Sequence, residues 1–140
     1  MNKNSMKTDF SNILNPFPSV LSAYLFGSAA AGIQGANSDV DIAVYLDKNI
    51  SAEAAVELRF QLMDVFEDYF VCPADVVLLN NASLKMIHQI LSNGTLLYAR
   101  DPEAARRFAL QKRKAYFDFK HYIDKDIEQM RSFFEAGSRG

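Results

Sequence analysis

Residues 39–46 read Asp-Val-Asp-Ile-Ala-Val-Tyr-Leu, and this stretch limits the fold more than any other. Successive side chains of a strand point to opposite faces, so Val40, Ile42, Val44 and Leu46 share one face while Asp39, Asp41, Ala43 and Tyr45 share the other. The apolar set belongs in a core. Asp39 and Asp41 then stand about 7 Å apart at their Cα atoms, and carboxylates that close raise each other's pKa unless a cation neutralises them. The fold must bury one face of this strand and give the other a reason to carry paired negative charge.

The flanking text supplies the partners of that strand. Ser22 to Phe26 reads as a short strand halted by Gly27-Ser28, and a glycine-bearing connection leads to Asp39. Asn49 or Ser51 can cap a helix to about Tyr69, with Ala55, Leu58, Leu62, Val65, Phe66 and Tyr69 at three- and four-residue spacing. Pro73 ends what precedes it, and Ala74 to Leu79 (ADVVLL) is a third strand. A helix with the stripe Leu84, Ile87, His88 and Leu91 follows, closed by Asn93-Gly94 as a left-handed stop. Thr95 to Ala99 adds a fourth strand. Asp101-Pro102-Glu103 opens a long C-terminal helix over 101–134, in which Phe108, Tyr116, Phe119, Ile123, Ile127, Met130 and Phe134 keep helical phase.

At the other end, Asn15-Pro16-Phe17-Pro18 forbids regular structure. Residues 1–19 are therefore expected to be an irregular or short N-terminal segment, with the ordered chain resuming near Val20. The order β, β, α, β, α, β, α predicts a mixed α/β (α+β) domain over 1–140, a small mixed sheet with helices packed on it.

At 140 residues and 49% apolar, one domain can bury about two-thirds of its unfolded surface without disulfides or structural metal. The single cysteine, Cys72, cannot form an internal disulfide and is read as a small buried hydrophobe. With only His88 and His121, no zinc-type cluster exists. A reducing cytoplasm is the expected compartment, and no apolar run reaches membrane-spanning length. The net charge of −2 conceals a split: five basic and ten acidic residues in 1–99, ten basic and seven acidic in 100–140. The run Arg106, Arg107, Lys112, Arg113 and Lys114 reads as a solvated face, and a pI near 5.6 weighs against a nucleic-acid binder. Phe133-Phe134 is a candidate partner contact.

The chemistry follows from the acids. A hard, oxygen-only pair suits Mg²⁺ or Mn²⁺, and Mg²⁺ completes its octahedron with water and substrate phosphates. Gly27 and Ser28 sit where backbone can approach such a phosphate, and Ala29 to Ala31 can begin a helical turn whose dipole adds to the site. Asp75 opens the third strand. If that strand pairs beside 39–46 in suitable register, Asp39, Asp41 and Asp75 converge as metal-assisted nucleotidyl transfer requires: two acids to hold cations, a third to share one or take a proton from an attacking hydroxyl.

Gly27, Ser28, ten residues, then Asp39 and Asp41 resembles the signature of the DNA polymerase β-like nucleotidyltransferase superfamily. YLFGSAAAG, SDVDIAVYL and ADVVLLNNASLKMIHQILSNGTLLY resemble more specifically the minimal nucleotidyltransferases (MNT), many of them antitoxins of small helical HEPN ribonuclease toxins. The resemblance covers roughly residues 20–100. It implies the polymerase β-like fold, Asp39, Asp41 and Asp75 as catalytic metal ligands for Mg²⁺, and Gly27 with Ser28 as the clamp for ATP. The implied activity moves AMP from ATP to a tyrosine hydroxyl of the toxin, with which a hetero-oligomer would form. Two alternatives stay open: a non-catalytic binding antitoxin, and a nucleotidyltransferase acting on a small molecule or an RNA end. One departure is notable. Ala29 and Ala31 stand where relatives often carry an arginine or other polar residue, leaving Lys48, Arg59 and Lys85 as candidates for a replacement cation.

Overall fold

The computed structural model describes residues 2–27 and 39–138. Its elements are α1 (Lys3–Leu14), β1 (Val20–Phe26), β2 (Val40–Leu46), α2 (Ala52–Phe70), β3 (Ala74–Leu78), a 3₁₀ turn at Leu79–Asn81, α3 (Leu84–Asn93), β4 (Thr95–Ala99) and α4 (Pro102–Ser138). The strands form one mixed sheet in the order β3-β2-β1-β4. β1 runs antiparallel to both β2 and β4, and β2 runs parallel to β3. The β2 to β3 crossover is α2, as parallel pairing demands.

Val40, Ile42, Val44 and Leu46 enter a core against Phe10 and Leu14 of α1 and Leu58, Leu62 and Phe66 of α2. The opposite face of β2 is not left to solvent, which the alternation alone did not disclose. Ala43 is fully buried with Ile87, Ile90 and Leu91 of α3, and the Tyr45 ring stacks on Phe108 of α4 with centroids 4.2 Å apart. Among the described residues, helices α3 and α4 thus cover the acid-bearing face of β2 at Ala43 and Tyr45.

The N-terminal segment differs from its expectation: residues 3–14 are helical, and Phe10 and Leu14 are completely buried. Pro16 and Pro18 stop this helix instead of preventing order. Met6, Phe10, Ile13 and Leu14 recur at helical spacing, and the Asn2 side chain caps the first turn by accepting from the Ser5 amide at 2.8 Å. The carbonyls at its C-terminal end are collected by one guanidinium. Arg100 donates to the carbonyl oxygens of Leu14, Asn15, Phe17 and Val20 at 3.3–3.4 Å.

Gly94 also departs from expectation. It closes α3 in an extended conformation, φ −84°, not a left-handed one; glycine is required because a Cβ there would collide with the Ile90 carbonyl oxygen. The left-handed stop belongs to Val71, φ 55°, at the end of α2. Cys72 is half-buried at the edge of the first core, not fully interior.

α1 is also tied to α2 by the Tyr69 hydroxyl, which donates to Asp9 Oδ2 at 2.6 Å. Burial, with that hydrogen bond and the Asp9 charge added, pushes the Tyr69 hydroxyl up to about 12. A group whose folded pKa is raised contributes stability that is whole below its unfolded value of 10.0 and is lost as pH rises toward about 12. Thermal melts should therefore fall between pH 10 and 12 in the wild type. Tyr69→Phe should cost about 1 kcal/mol at neutral pH and flatten that alkaline decline.

Candidate active site

The parallel pairing of β2 and β3 sets Val40 opposite Ala74 and Asp41 opposite Asp75. Neighbouring strands lie about 4.8 Å apart and paired residues face the same way, so Asp41 and Asp75 stand side by side on the α3 side of the sheet. A slip of one residue would send Asp75 into the apolar core. The register is pinned from the other face, where Val76 is fully buried with Ile42 and Val44, and by the Val40 amide donating to the Pro73 carbonyl at 3.0 Å. Asp39 immediately precedes β2 and is exposed, whereas Asp41 is half-buried. Burial, with the charges of Asp75 and then Asp39 added, pushes the Asp41 carboxyl above the usual carboxylate range.

β1 runs the other way, so its end arrives at the same place. Phe26 pairs with Asp41, and the next residue, Gly27, turns away with φ 77°, a conformation that favours glycine. A Cβ on Gly27 would collide with Asp41 Oδ2. Backbone and carboxylate are in contact, with no room for a side chain between them. Ser28 and Ala29 to Ala31, expected to continue this turn, lie outside the described residues.

Arg59 of α2 reaches round the edge strand β3. Its Nη2 pairs with Asp75 Oδ1 at 3.1 Å and its Nε donates to the Val76 carbonyl at 2.6 Å. The fork fixes Asp75 and satisfies a carbonyl on the strand's unpaired side. Of the three candidate cations, Arg59 is thus the one held at the acids, by an acid. Lys48 lies in the turn beyond Leu46 at the far end of β2, itself about 17 Å along the strand from Asp41 at 3.3 Å per residue, away from the acids. Lys85 opens α3 beside Met86.

Gly27 and Phe26 also line a cleft of about 270 Å³ whose other wall is Met86, Gln89, Ile90 and Asn93 of α3. Sequence reasoning missed these α3 residues. Their signal was the spacing 86, 89, 93, one exposed helix face beside the buried Ile87, Ile90 and Leu91.

Whether these residues fit a divalent cation can be judged from the donors. Asp39, Asp41 and Asp75 offer hard oxygens, and burial first, then the charges of Asp75 and Asp39, raises the Asp41 carboxyl. Among the described residues, no three ligand-type side chains are gathered into a preformed cage, and Asp75 is engaged by Arg59. The chemistry suits a cation that takes one or two protein carboxylates and draws its remaining oxygens from a phosphate substrate.

The other singled-out residues have structural duties. The His88 ring stacks on Tyr116, centroids 3.9 Å apart. Arg113 donates to the Leu91 carbonyl at 3.3 Å, Lys112 lies over the Phe108 ring, and Arg106 pairs with Glu103. Among the described residues no helix is long and apolar enough to cross a membrane.

Residues 9–103 match the family described as Polymerase beta, Nucleotidyltransferase. Among solved structures, a toxin-antitoxin crystal structure with AMP-PNP is similar at 26% identity and a TM-score of 0.69, over 93% of this chain and 98% of that one. A second, a tri-AMPylated Shewanella oneidensis HEPN toxin in complex with MNT antitoxin, shares the fold at 21% identity and a TM-score of 0.65, over 92% and 98%. No curated protein matches the chain.

Proposed function

Because this chain belongs to the Polymerase beta nucleotidyltransferase family, we propose that it is an antitoxin that transfers AMP from ATP to a tyrosine hydroxyl of a HEPN-type toxin and so neutralises it. The observation that carries this reading is the pairing of Asp41 with Asp75 beside the side-chain-free approach of Gly27. The full-length likeness to a toxin-antitoxin structure with AMP-PNP supports the choice of nucleotide and partner.

In this reading Asp39 and Asp41 would hold Mg²⁺, with Asp75 able to share it. When bound, that ion neutralises the phosphates and stabilises charge that develops in the transition state. The chain's own groups do the rest. The Gly27 backbone lets the triphosphate lie against β1 without a clash. The tyrosine oxygen attacks the α-phosphorus, the bond from that phosphorus to the bridging oxygen of the β-phosphate breaks, and pyrophosphate leaves. Asp75, oriented by Arg59, accepts the hydroxyl proton. The cleft walled by Met86, Gln89 and Asn93 receives part of the nucleotide. The cytoplasm, where ATP and the toxin meet, is the proposed compartment.

Incubating the purified chain with ATP, Mg²⁺ and the HEPN-type protein encoded by the neighbouring reading frame should raise that protein's intact mass by one or more adenylyl units. An unchanged mass, with both proteins folded, overturns the reading. A contact-only antitoxin is the second reading, favoured by alanine at sequence positions 29 and 31 and by Arg59 being held by Asp75. It predicts neutralisation without any mass change. Transfer to an RNA end or a small acceptor instead would appear with labelled ATP.

A further inference from the structure

α4 is 37 residues long, about 55 Å at 1.5 Å per residue. The rest of the chain, about 100 residues, folds into a body roughly 30–35 Å across, so the helix outruns it. Its inner stripe does not end where the body ends. Ala105 and Phe108 are buried and Tyr116 stacks on His88. The same helical phase continues through Phe119, Ile123, Ile127, Met130 and Phe134. Phe119, Ile127, Met130 and Phe134 are 48%, 51%, 53% and 64% exposed. A helix that merely projected into water would carry polar residues in that phase, and a contiguous apolar patch of this kind marks an interaction surface.

We infer that this distal stripe of α4, beyond Tyr116, is the docking surface for a helix of the toxin. The inference rests on the function proposed above and assigns the surface that presents the acceptor to the acids.

The size of the stripe and its side of the sheet select the occupant. With a fully buried aromatic worth about 150–250 Å², these half-exposed side chains, with Tyr122 and Phe133 on their flank at 68% and 72% exposure, offer on the order of 700 Å². A stable interface takes about 800 Å² from each partner, so the stripe alone falls short of what a second copy lying along it would need. A toxin makes up the difference at the reaction centre. The α4 anchor, Phe108 on Tyr45, lies on the same face of β2 as Asp41, so a partner running along α4 lies on the acid-bearing side of the sheet. The charge of this half agrees. The basic cluster Arg106 to Lys114 is confined to the packed half, while the sequence after it carries Asp118, Asp124, Asp126, Glu128 and Glu135 against Lys120, Lys125, Arg131 and Arg139. The partner-facing half is therefore apolar with an acidic margin, not basic.

The test combines Phe119→Gln, Ile127→Gln, Met130→Gln and Phe134→Gln, with Phe117→Gln, on the same helix but about 100° from the Tyr116 line, as control. Affinity for the HEPN-type protein of the neighbouring reading frame is measured by titration calorimetry, AMP transfer by intact mass, self-association by sedimentation, and folding by circular dichroism. The Kd of the stripe variant should rise at least 100-fold and that of Phe117→Gln less than threefold. Should the fourfold variant lose helix, Ile127→Gln/Met130→Gln replaces it, with at least a 10-fold rise expected. Unchanged affinity overturns the docking surface and leaves AMP transfer standing. A wild-type dimer abolished by the stripe changes, with toxin affinity intact, overturns it in favour of a second copy. Stripe-dependent binding with no AMP transferred keeps the surface and overturns the enzymatic reading. Failure of the wild-type chain to bind overturns the docking surface outright.

Discussion

Asp39→Asn/Asp41→Asn should lower AMP transfer by at least about three orders of magnitude, roughly 4 kcal/mol of transition-state stabilisation, and should do so without unfolding the chain. The two carboxylates are not structural supports. Asp39 is exposed, and the Asp41 carboxyl is held above its ordinary range by burial and by the charges of Asp75 and Asp39. Between the unfolded value of 3.8 and that raised folded value the native state binds the proton more tightly. Metal-free stability therefore falls as pH rises through this window and is level above it. Asparagine removes the charge, so at neutral pH without divalent cation the variant should melt no lower than the wild type. Added Mg²⁺ separates the two again. At a hundredfold excess over its Kd a bound ion stabilises the native state by about 2.7 kcal/mol, so the wild-type Tm climbs by several degrees and the variant's stays fixed.

Gly27→Ala should be nearly as damaging, by a different route. The left-handed backbone costs alanine about 1 kcal/mol, a modest loss for a domain of this size. The new methyl must also displace the Asp41 carboxylate, and misplacing a reacting group by an ångström can cost about 100-fold in rate. Gly27→Asn tests this division of causes. Asparagine tolerates positive φ far better than alanine does, so it should recover part of the stability and none of the activity. Recovery of activity by asparagine would place the fault in the backbone, not in the carboxylate.

Much of this arrangement was legible in the residues. Alternation placed Asp41 on the face of β2 opposite Val40 and Ile42, and the proline-bounded ADVVLL run supplied a further acid, Asp75, with the right parity. What the residues could not supply was the side of β2 on which β3 lies and its register. These come from α2 crossing to a parallel neighbour and from Val76 joining Ile42 in the core. Arg59 was visible only as an unassigned cation, because its partner stands 16 residues away and becomes a neighbour only after the crossover. α1 was misread for a physical reason as well. Two prolines in four residues outweighed a four-residue apolar stripe, although prolines just past a helix end are stops.

The link from Arg100 to the carbonyls of Leu14, Asn15, Phe17 and Val20 joins positions 80 to 86 residues apart, and β1 lies inside the sheet between β2 and β4. A chain made from its N-terminus at about 5–20 residues per second therefore carries α1 and β1 unfinished for several seconds. All three carboxylates are synthesised before the piece that locks their scaffold. A nascent chain interrupted short of Arg100 would possess all three carboxylates of the proposed site with one flank of β1 still unpaired, open to proteolysis, so the supply of working protein is set by completed translation.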